Sequence, residues 1–433
     1  MGAFGGRRPR MVALVPLQPP TLKPVVGDPR RMRVERFPVT ILLGIQLAAM
    51  VVIPAALKGT EPFGLIVAIC AVTVAVAVFI ELMVQPLKMP EATAKPITAR
   101  AAFTVLGVGV VATVVSTLGG RGTYAVQIGV ASESPIVSIA APFTLWVLFG
   151  VSLVLWLFRH GQVTRATALW VCAIAAVVFL WEGLMRAILG QSAALILTVL
   201  ILAMFAKLIR LRTLVIVLAA IPILWPPIYE FRDSLRRASV SGPGAVSADA
   251  PLERLQLDTQ MALISRFVPR PAGLEVLDLP TLFRIGLIPG FLDPDRPPLN
   301  TGSQMSVALG GAPTSSQSAT MLGNVYIFEG WVGIVVFAVV LTVIMGFLTR
   351  RDNPWALAGI GLVYSYGISF NASYPDVIPR MLQALISLAV AYLLVRILSG
   401  PKARAASDAR VRRRAEERRP RQSKRAGRPA VRR

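Results

Sequence analysis

LPTLFRIGLIPGFLDPDRPPLNTG (Leu279–Gly302) and, after a polar spacer, TMLGNVYIFEGWVGIVVFAVVLTVIMG (Thr320–Gly346) decide how this chain is read. The first stretch is a proline-punctuated polar loop carrying Arg284, Asp293, Asp295 and Arg296. The second is an apolar run long enough to cross a bilayer, for which roughly 20 residues suffice. Asn324, Tyr326 and Glu329 stand where the loop enters the run. A large polar loop feeding directly into a membrane helix predicts that the remaining chain builds a membrane scaffold around that junction.

Composition agrees. Of 433 residues, 55% are hydrophobic and only 15% charged, which fits a polytopic membrane protein and neither a soluble domain nor a disordered one. The formal charge of +23 raises the question of nucleic-acid binding, and its location answers it. Residues 1–36 carry net +6 and residues 399–433 net +11, together +17 of the total. Tails such as the one holding Arg412, Arg413, Arg414, Arg418 and Arg419 read as juxtamembrane basic segments beside anionic headgroups. No RNA-binding aromatic motif accompanies them, so membrane lipids are the expected partner and nucleic acid is not. Residues 1–36 are Pro- and Arg-rich and read as a tail rather than a signal peptide. Cys70 and Cys172 fall in separate apolar runs with no zinc-type spacing, so neither a disulfide nor a metal site is expected.

Ten apolar runs are candidates for spans: 38–57, 63–86, 101–118, 136–158, 166–188, 190–206, 211–229, 323–348, 355–371 and 378–398. Run 190–206 is short and run 136–158 contains Pro142, which predicts a tilted, kinked or re-entrant segment at either. Placing the N-terminal tail inside and alternating makes every inside segment net basic: 1–37, 87–100, 159–165, 207–212, 349–354 and the C-terminal tail. The large outside segment, 230–322, has eight Arg and nine acidic residues. This is the positive-inside pattern. The expected fold is therefore an all-α integral membrane protein of about ten transmembrane helices, with one large, partly helical external loop before the eighth span. In domain terms this gives a basic tail (1–37), spans one to seven (38–229), the loop (230–322), spans eight to ten (323–398) and a second basic tail (399–433). Both termini are expected in the cytoplasm and the protein in the plasma membrane.

A loop of that length is a working part or a linker rather than a simple connector. Its start, SVSGPGAVSADAP, reads as flexible. Pro251–Val268 places Leu257, Met261, Ile264 and Val268 near helical spacing, with Arg254, Asp258 and Thr259 elsewhere on the surface. This predicts an amphipathic helix lying on the membrane or over the bundle and ended by Pro271. A second short helix is expected around Thr281–Ile288, before Pro289 and Gly290.

The chemistry-bearing residues are few. His160, the only histidine, lies on the basic side beside Arg159, so no external histidine base is available. There is no phosphate-binding glycine loop, dinucleotide fingerprint or zinc-protease motif. Asp293–Pro294–Asp295 has the form of a divalent-metal pair, but it lies outside and the central Pro makes a turn the expected structure. Arginines are the conspicuous external groups: Arg121, Arg186, Arg254, Arg266, Arg270, Arg284, Arg296 and Arg380. Guanidiniums grip phosphate or pyrophosphate in bidentate fashion and stay charged where the dielectric is low. Arg186, beside Trp181, Glu182 and Met185, and Arg380, at the start of the last span, either work or are balanced, by snorkelling or by Glu182 and Asp376. Glu329 lies a turn or two inside its run, where a carboxylate has to be paired or protonated. It suits a general base facing an arginine-lined cavity, or a structural interface Glu.

With these residues in hand, the chain resembles the Wzy-type O-antigen and oligosaccharide repeat-unit polymerases, relatives of the O-antigen ligases. LFRIGLIPGFLDPDRPP (282–298) resembles the family's arginine-containing loop, the run from Thr320 resembles the helix after it, and RAILGQSAALILTVLILA (186–203) resembles an upstream helix start. The chain departs from the pattern at Gln191 and Gly290, where the family commonly has Arg, and at Asp-Arg-Pro, where Trp-Pro-x-Lys-Pro is common. The resemblance implies a metal- and cofactor-independent glycosyl transfer at the outer face, from undecaprenyl diphosphate to an acceptor hydroxyl. It makes Glu329, Asp293 and Asp295 the candidate bases, and Arg284, Arg296, Arg266, Arg270, Arg186, Arg121 and Arg380 the diphosphate-binding residues. The lipid-linked oligosaccharide is then the substrate, and a flippase and a chain-length regulator are the implied partners. A transporter or flippase of lipid-linked sugars and a non-catalytic scaffold of an exopolysaccharide system are the alternatives.

Overall fold

The computed structural model describes residues 36–84, 97–123, 126, 131–186, 189–239, 257–271, 274, 277–288, 292–293, 295–297, 299, 301–311, 317–369 and 374–400. The expectations for the two tails, for 240–256 with Arg254, and for Pro289, Gly290 and Pro294 lie outside these residues. Among the described residues every regular element is helical and none is a strand. In chain order the elements are α1 (Pro38–Lys58), α2 (Phe63–Val84), α3 (Ala99–Leu118), α4 (Ile136–Arg159), α5 (Arg165–Met185), α6 (Leu189–Phe205) and α7 (Leu211–Ser239). Four short helices follow: α8 (Asp258–Ala262), α9 (Ile264–Phe267), α10 (Leu279–Leu287) and α11 (Thr301–Ala308). The last three are α12 (Thr320–Thr349), α13 (Pro354–Val363, continued by a π-helical turn over Tyr364–Ile368) and α14 (Val377–Leu398).

Seven of these, α1 to α5, α12 and α14, are long and apolar enough to cross a membrane, and the chain is a multi-pass, all-α membrane protein. The three remaining apolar runs are helical but depart from a simple span. α6 has 17 residues. α7 is bent by 49° between Leu211–Ile221 and Ile223–Leu235, where Pro222 interrupts the hydrogen-bond ladder. α13 has 10 residues before its π-helical turn.

The helix starts follow local chemistry. Thr98 and Thr164 cap α3 and α5 by accepting from Ala101 N and Thr167 N at 3.2 Å each, and Asn353 caps α13 by accepting from Trp355 N at 3.0 Å. Pro142 stands in a 3₁₀ turn over Ala141–Phe143, which interrupts the α-helical course of α4 near its start. Glu81, a charged residue within α2 that the sequence reading passed over, is 3% exposed and accepts from Val39 N at 2.7 Å. It satisfies the free amides at the start of α1, where the helix dipole favours a carboxylate.

α4 is the axis of the bundle. Every residue from Trp146 to Leu157 is buried, as a helix that is apolar all round has to be. It packs on α3, α5, α6, α13 and α14. The α3–α4 crossing is closest because two glycines meet it. A Cβ on Gly109 would stand 2.2 Å from Val147 N, and one on Gly150 would stand 2.5 Å from Leu106 Cα. Small residues that let two backbones touch are the main packing device between helices in lipid.

The connections gather at two ends. At one, Thr98 N donates to Ser399 Oγ at 3.4 Å, His160 meets Asp352, and Arg350 bonds the Val84 carbonyl. At the other, Thr60 meets Asp258, Thr301 meets Asp376 and Tyr374 meets Glu329. The second end carries the 257–319 segment and is called the loop face below.

That segment differs from its sequence reading in three ways. α7 runs on to Ser239, ten residues past the expected loop boundary. The amphipathic helix is two short turns, α8 and α9, lying over α12. Phe267, 1% exposed, takes the apolar position assigned to Val268, which is 44% exposed. Val268 is extended because it precedes Pro269, and the helix ends there rather than at Pro271. Asp258, expected on the surface, is fully buried. It accepts from Thr60 Oγ1 at 2.7 Å and pairs with Lys58 at 3.6 Å, while Leu257 N donates to Met50 O at 2.8 Å. α8 is thus strapped to the end of α1. α10 fits the expected second helix and packs on α14, where Gly286 faces Pro379 and Leu382.

Gly150→Val is expected to lower unfolding stability by about 3 kcal/mol or more, since backbone rather than a flexible side chain must yield. Gly107→Val, on the same helix pair but with no atom within 4 Å of its Cβ position, is expected to stay within about 0.5 kcal/mol. Denaturant unfolding in detergent measures both; equal effects would show that the glycine contact does not hold α3 to α4.

Candidate functional site: a guanidinium cluster at the loop face

Arg121 leaves the end of α3 in a tight turn, and its Nη1 donates to Thr144 Oγ1 at 2.8 Å. Thr144 is available there because Pro142 has broken the first turns of α4. Arg186 follows the last turn of α5. Its Nη1 donates to Glu182 Oε1 at 2.9 Å, one turn back, and reaches Gln191 Oε1 on α6 at 3.5 Å. The same guanidinium lies on Gly122, where a Cβ would come within 2.8 Å of Nη2. Gly122 has φ +54 and donates its N–H to Glu133 Oε1 at 2.7 Å. Glycine is needed here for the backbone angle and for the space.

The charge balance is tight. The Arg186 and Glu182 side chains are 13% and 7% exposed, and Arg186 Nε is buried without a partner. Burial, and after it the neighbouring Arg186 charge, push the Arg121 pKa below its ordinary value. Two guanidiniums therefore share one buried carboxylate, with Glu133 at the exposed rim. Such an arrangement favours an incoming anion.

Tyr366, in the π-helical turn after α13, is an electrostatic neighbour of both Arg121 and Arg380. Arg380 stands exposed on the first turn of α14. Asp376, buried at 6% exposure, accepts from Thr301 Oγ1 at 2.9 Å. Burial raises its pKa, and Arg380 works against that rise. Arg121 thus has Arg186 and Glu182 as electrostatic neighbours on one hand, and shares Tyr366 as a neighbour with Arg380 on the other.

Glu329 is exposed and precedes a break in α12, where Gly330 has φ 62 and ψ −154. Tyr374 OH donates to Glu329 Oε1 at 2.8 Å. Burial first, and this bond second, raise the Tyr374 pKa. Gly333 leaves room for the carboxylate, since a Cβ there would meet Glu329 Cβ at 2.3 Å.

Arg284 and Asp293 form a bidentate pair, with Nε to Oδ2 at 2.7 Å and Nη2 bonded to Oδ1. The Arg284 hydrogen bonds hold the Asp293 carboxyl below the usual carboxylate range. The pair folds the turn before Asp295, which is exposed, and Arg296, whose N donates to Asp293 O at 3.4 Å. α10, which carries Arg284, is anchored to the helix bearing Arg380, because Gln383 Nε2 donates to Ile285 O at 3.2 Å. Arg266 and Arg270 are exposed around the end of α9, and among the described residues their guanidiniums make no hydrogen bond or ion pair. Among the described residues no three His, Cys, Asp or Glu side chains are placed to hold a metal ion.

Sequence reasoning passed over Thr144, Tyr366 and Tyr374. Nothing in their spacing marks them; they join the site only through helix packing. No protein-family model matches the chain, and no curated protein or solved structure matches it either.

Glu182→Gln leaves Arg121 and Arg186 without their buried counter-charge and is expected to cost about 3–5 kcal/mol of stability. Adding Arg186→Gln should restore more than half of that loss. A double-mutant cycle by thermal unfolding in detergent measures the coupling; additive losses would mean that the pair is solvent-screened.

Proposed function

We propose that the chain is a membrane glycosyltransferase that polymerises or ligates oligosaccharide units carried on a polyprenyl diphosphate. The observation that carries this reading is the meeting of Arg121 and Arg186 over the single buried carboxylate of Glu182. A leaving diphosphate needs charge stabilisation more than it needs a general acid, and pre-organised guanidiniums supply it. In this reading the lipid tail lies between helices, and the α8–α10 segment, packed on α12 and α14, lies over the loop face. The resemblance of 282–298, 186–203 and the run from Thr320 to the repeat-unit polymerases supports the same reading. In this proposal ten spans place the loop face outside the plasma membrane and both termini in the cytoplasm. The basic connections at the opposite end support that orientation.

The acceptor hydroxyl needs a base. Asp293 is occupied by Arg284 and held to low basicity. Glu329 is not covered by the rest of the protein and has one hydrogen bond from Tyr374. The proposal therefore assigns the base role to Glu329, with Asp295 as the second candidate. It assigns diphosphate binding to Arg121, Arg186 and Arg380, with Arg296, Arg266 and Arg270 at the mouth. Arg284 orders the turn through Asp293 and contacts the substrate only if that pair opens. A flippase that delivers the donor and a regulator of chain length are the proposed partners.

A polymer assay in a deletion strain, with membrane abundance of each variant measured alongside, tests this. Arg186→Gln and Arg121→Gln are expected to cut polymer formation by about 10²–10³-fold, and Glu329→Gln by about 10²–10⁴-fold. Single lipid-linked units should then accumulate outside. Accumulation inside would make the protein a transporter of its substrate. Unchanged polymer at normal abundance would remove the guanidinium cluster from the chemistry and favour a scaffold.

A further inference from the structure

Gly330 breaks α12 with φ 62 and ψ −154, a conformation open to glycine and almost closed to every other residue. A Cβ built there would meet no atom within 4 Å, so the glycine serves the backbone angle and not the packing. Glu329 is the residue immediately before it. In a regular helix, Cβ atoms four residues apart stand about 5–6 Å from one another. A Cβ on Gly333 would stand 2.3 Å from that of Glu329, so the break re-aims Glu329 along its own helix. Glu329 also stands twenty residues before Thr349, the last residue of α12. In an α-helix that is a rise of about 30 Å, the thickness of a hydrocarbon core. The carboxylate is thereby placed at the loop-face boundary of the apolar region rather than within it. Tyr326 and Trp331 bracket it, their rings packed edge to face with centroids 5.1 Å apart, and aromatic residues favour such boundaries.

One contact crosses from this break to the segment that leads into α14. Tyr374 OH donates to Glu329 Oε1 at 2.8 Å, and among the described residues Oε2 accepts no hydrogen bond. Tyr374 is itself held. Asp376, two residues on, is buried and accepts from Thr301 Oγ1 at 2.9 Å. Burial and the bond to Glu329 raise the Tyr374 pKa, so the phenol stays protonated and remains a donor.

We propose that Tyr374 and Gly330 are positioning residues for Glu329: the phenol occupies Oε1, the break aims the side chain, and Oε2 is left free to take the proton of the acceptor hydroxyl. This role rests on the glycosyltransferase reading and extends it. In the step, the acceptor oxygen bonds to the anomeric carbon while its proton passes to Oε2. The C–O bond to the diphosphate breaks, and its electron pair leaves on the phosphate oxygen. The carboxylic acid then gives its proton to water. A neutral donor suits this use, because it fixes the carboxylate without setting a full positive charge beside the base. Arg380 follows Tyr374 by six residues, so one short piece of chain carries both the positioning phenol and a guanidinium assigned to the diphosphate.

The full-length protein in detergent is assayed with the lipid-linked oligosaccharide fraction extracted from the deletion strain, over a range of concentrations, and product is read on gels. Tyr374→Phe, which removes only the hydroxyl, is expected to lower kcat about tenfold with KM within about twofold. Gly330→Ala is expected to lower kcat about 10²-fold, and it remains a test if Tyr374→Phe folds poorly. Adding Tyr374→Phe to Glu329→Gln is expected to cost nothing beyond Glu329→Gln alone, because a positioning residue acts only through the group it positions. A loss that adds to that of Glu329→Gln, or a change confined to KM, overturns the positioning role. Wild-type kcat in whichever of Tyr374→Phe and Gly330→Ala fold, with Glu329→Gln impaired, overturns it too and leaves the base assignment standing. Full activity in Glu329→Gln removes the base assignment and the positioning role with it. Absence of product from the wild type removes the glycosyltransferase reading itself.

Discussion

The close crossing of α3 and α4, where Gly109 faces Trp146 and Val147 and Gly150 faces Leu106, is the constraint on which the loop face depends. Without side chains at the two glycines, α3 and α4 approach to backbone distance. The same contact sets where each helix ends its course. Arg121 leaves α3 three residues past Leu118, and Thr144 sits in the opening turns of α4. Their 2.8 Å hydrogen bond is therefore a product of helix packing and not of the loop that carries Arg121. α5 packs on both helices and delivers Glu182 and Arg186 to the same level. A surface supported by three packed helices holds its geometry better than one built on the long segment alone.

Much of this architecture was legible in the chain. Each apolar run became a helix because a long uncharged stretch in hydrocarbon has no other way to satisfy its backbone. The Arg186–Glu182 pair was legible too, since an i, i+4 spacing puts both side chains on one helix face. Asp258 shows the limit. Its place in the sequence suggested a solvated helix surface, yet Thr60 and Lys58, about 200 positions earlier, close over it. Val268 and Phe267 exchanged roles for a local reason: the residue before Pro269 is forced out of helical geometry, so the apolar stripe stops one residue early. Tyr366 and Tyr374 were hidden altogether, because an aromatic in an apolar run carries no sign of what it will face.

The carboxylates at the loop face divide by what already holds them. Glu182 is bound by Arg186, Asp293 by Arg284, and Asp258 by Lys58 and Thr60. In each, the negative charge is spent on fixing structure: the end of α5, the turn before Asp295, and the strap from α8 to α1. For Asp293 the Arg284 hydrogen bonds also hold the carboxyl below the usual carboxylate range. Glu329 differs in kind. Its partner is the neutral hydroxyl of Tyr374, and its backbone stands one residue before the Gly330 break. A neutral donor orients a carboxylate without cancelling its charge, and a broken helix turns the side chain away from the bundle core. That combination, an oriented and uncompensated carboxylate on the face that also gathers excess guanidinium charge, is what separates Glu329 from the structural acids around it.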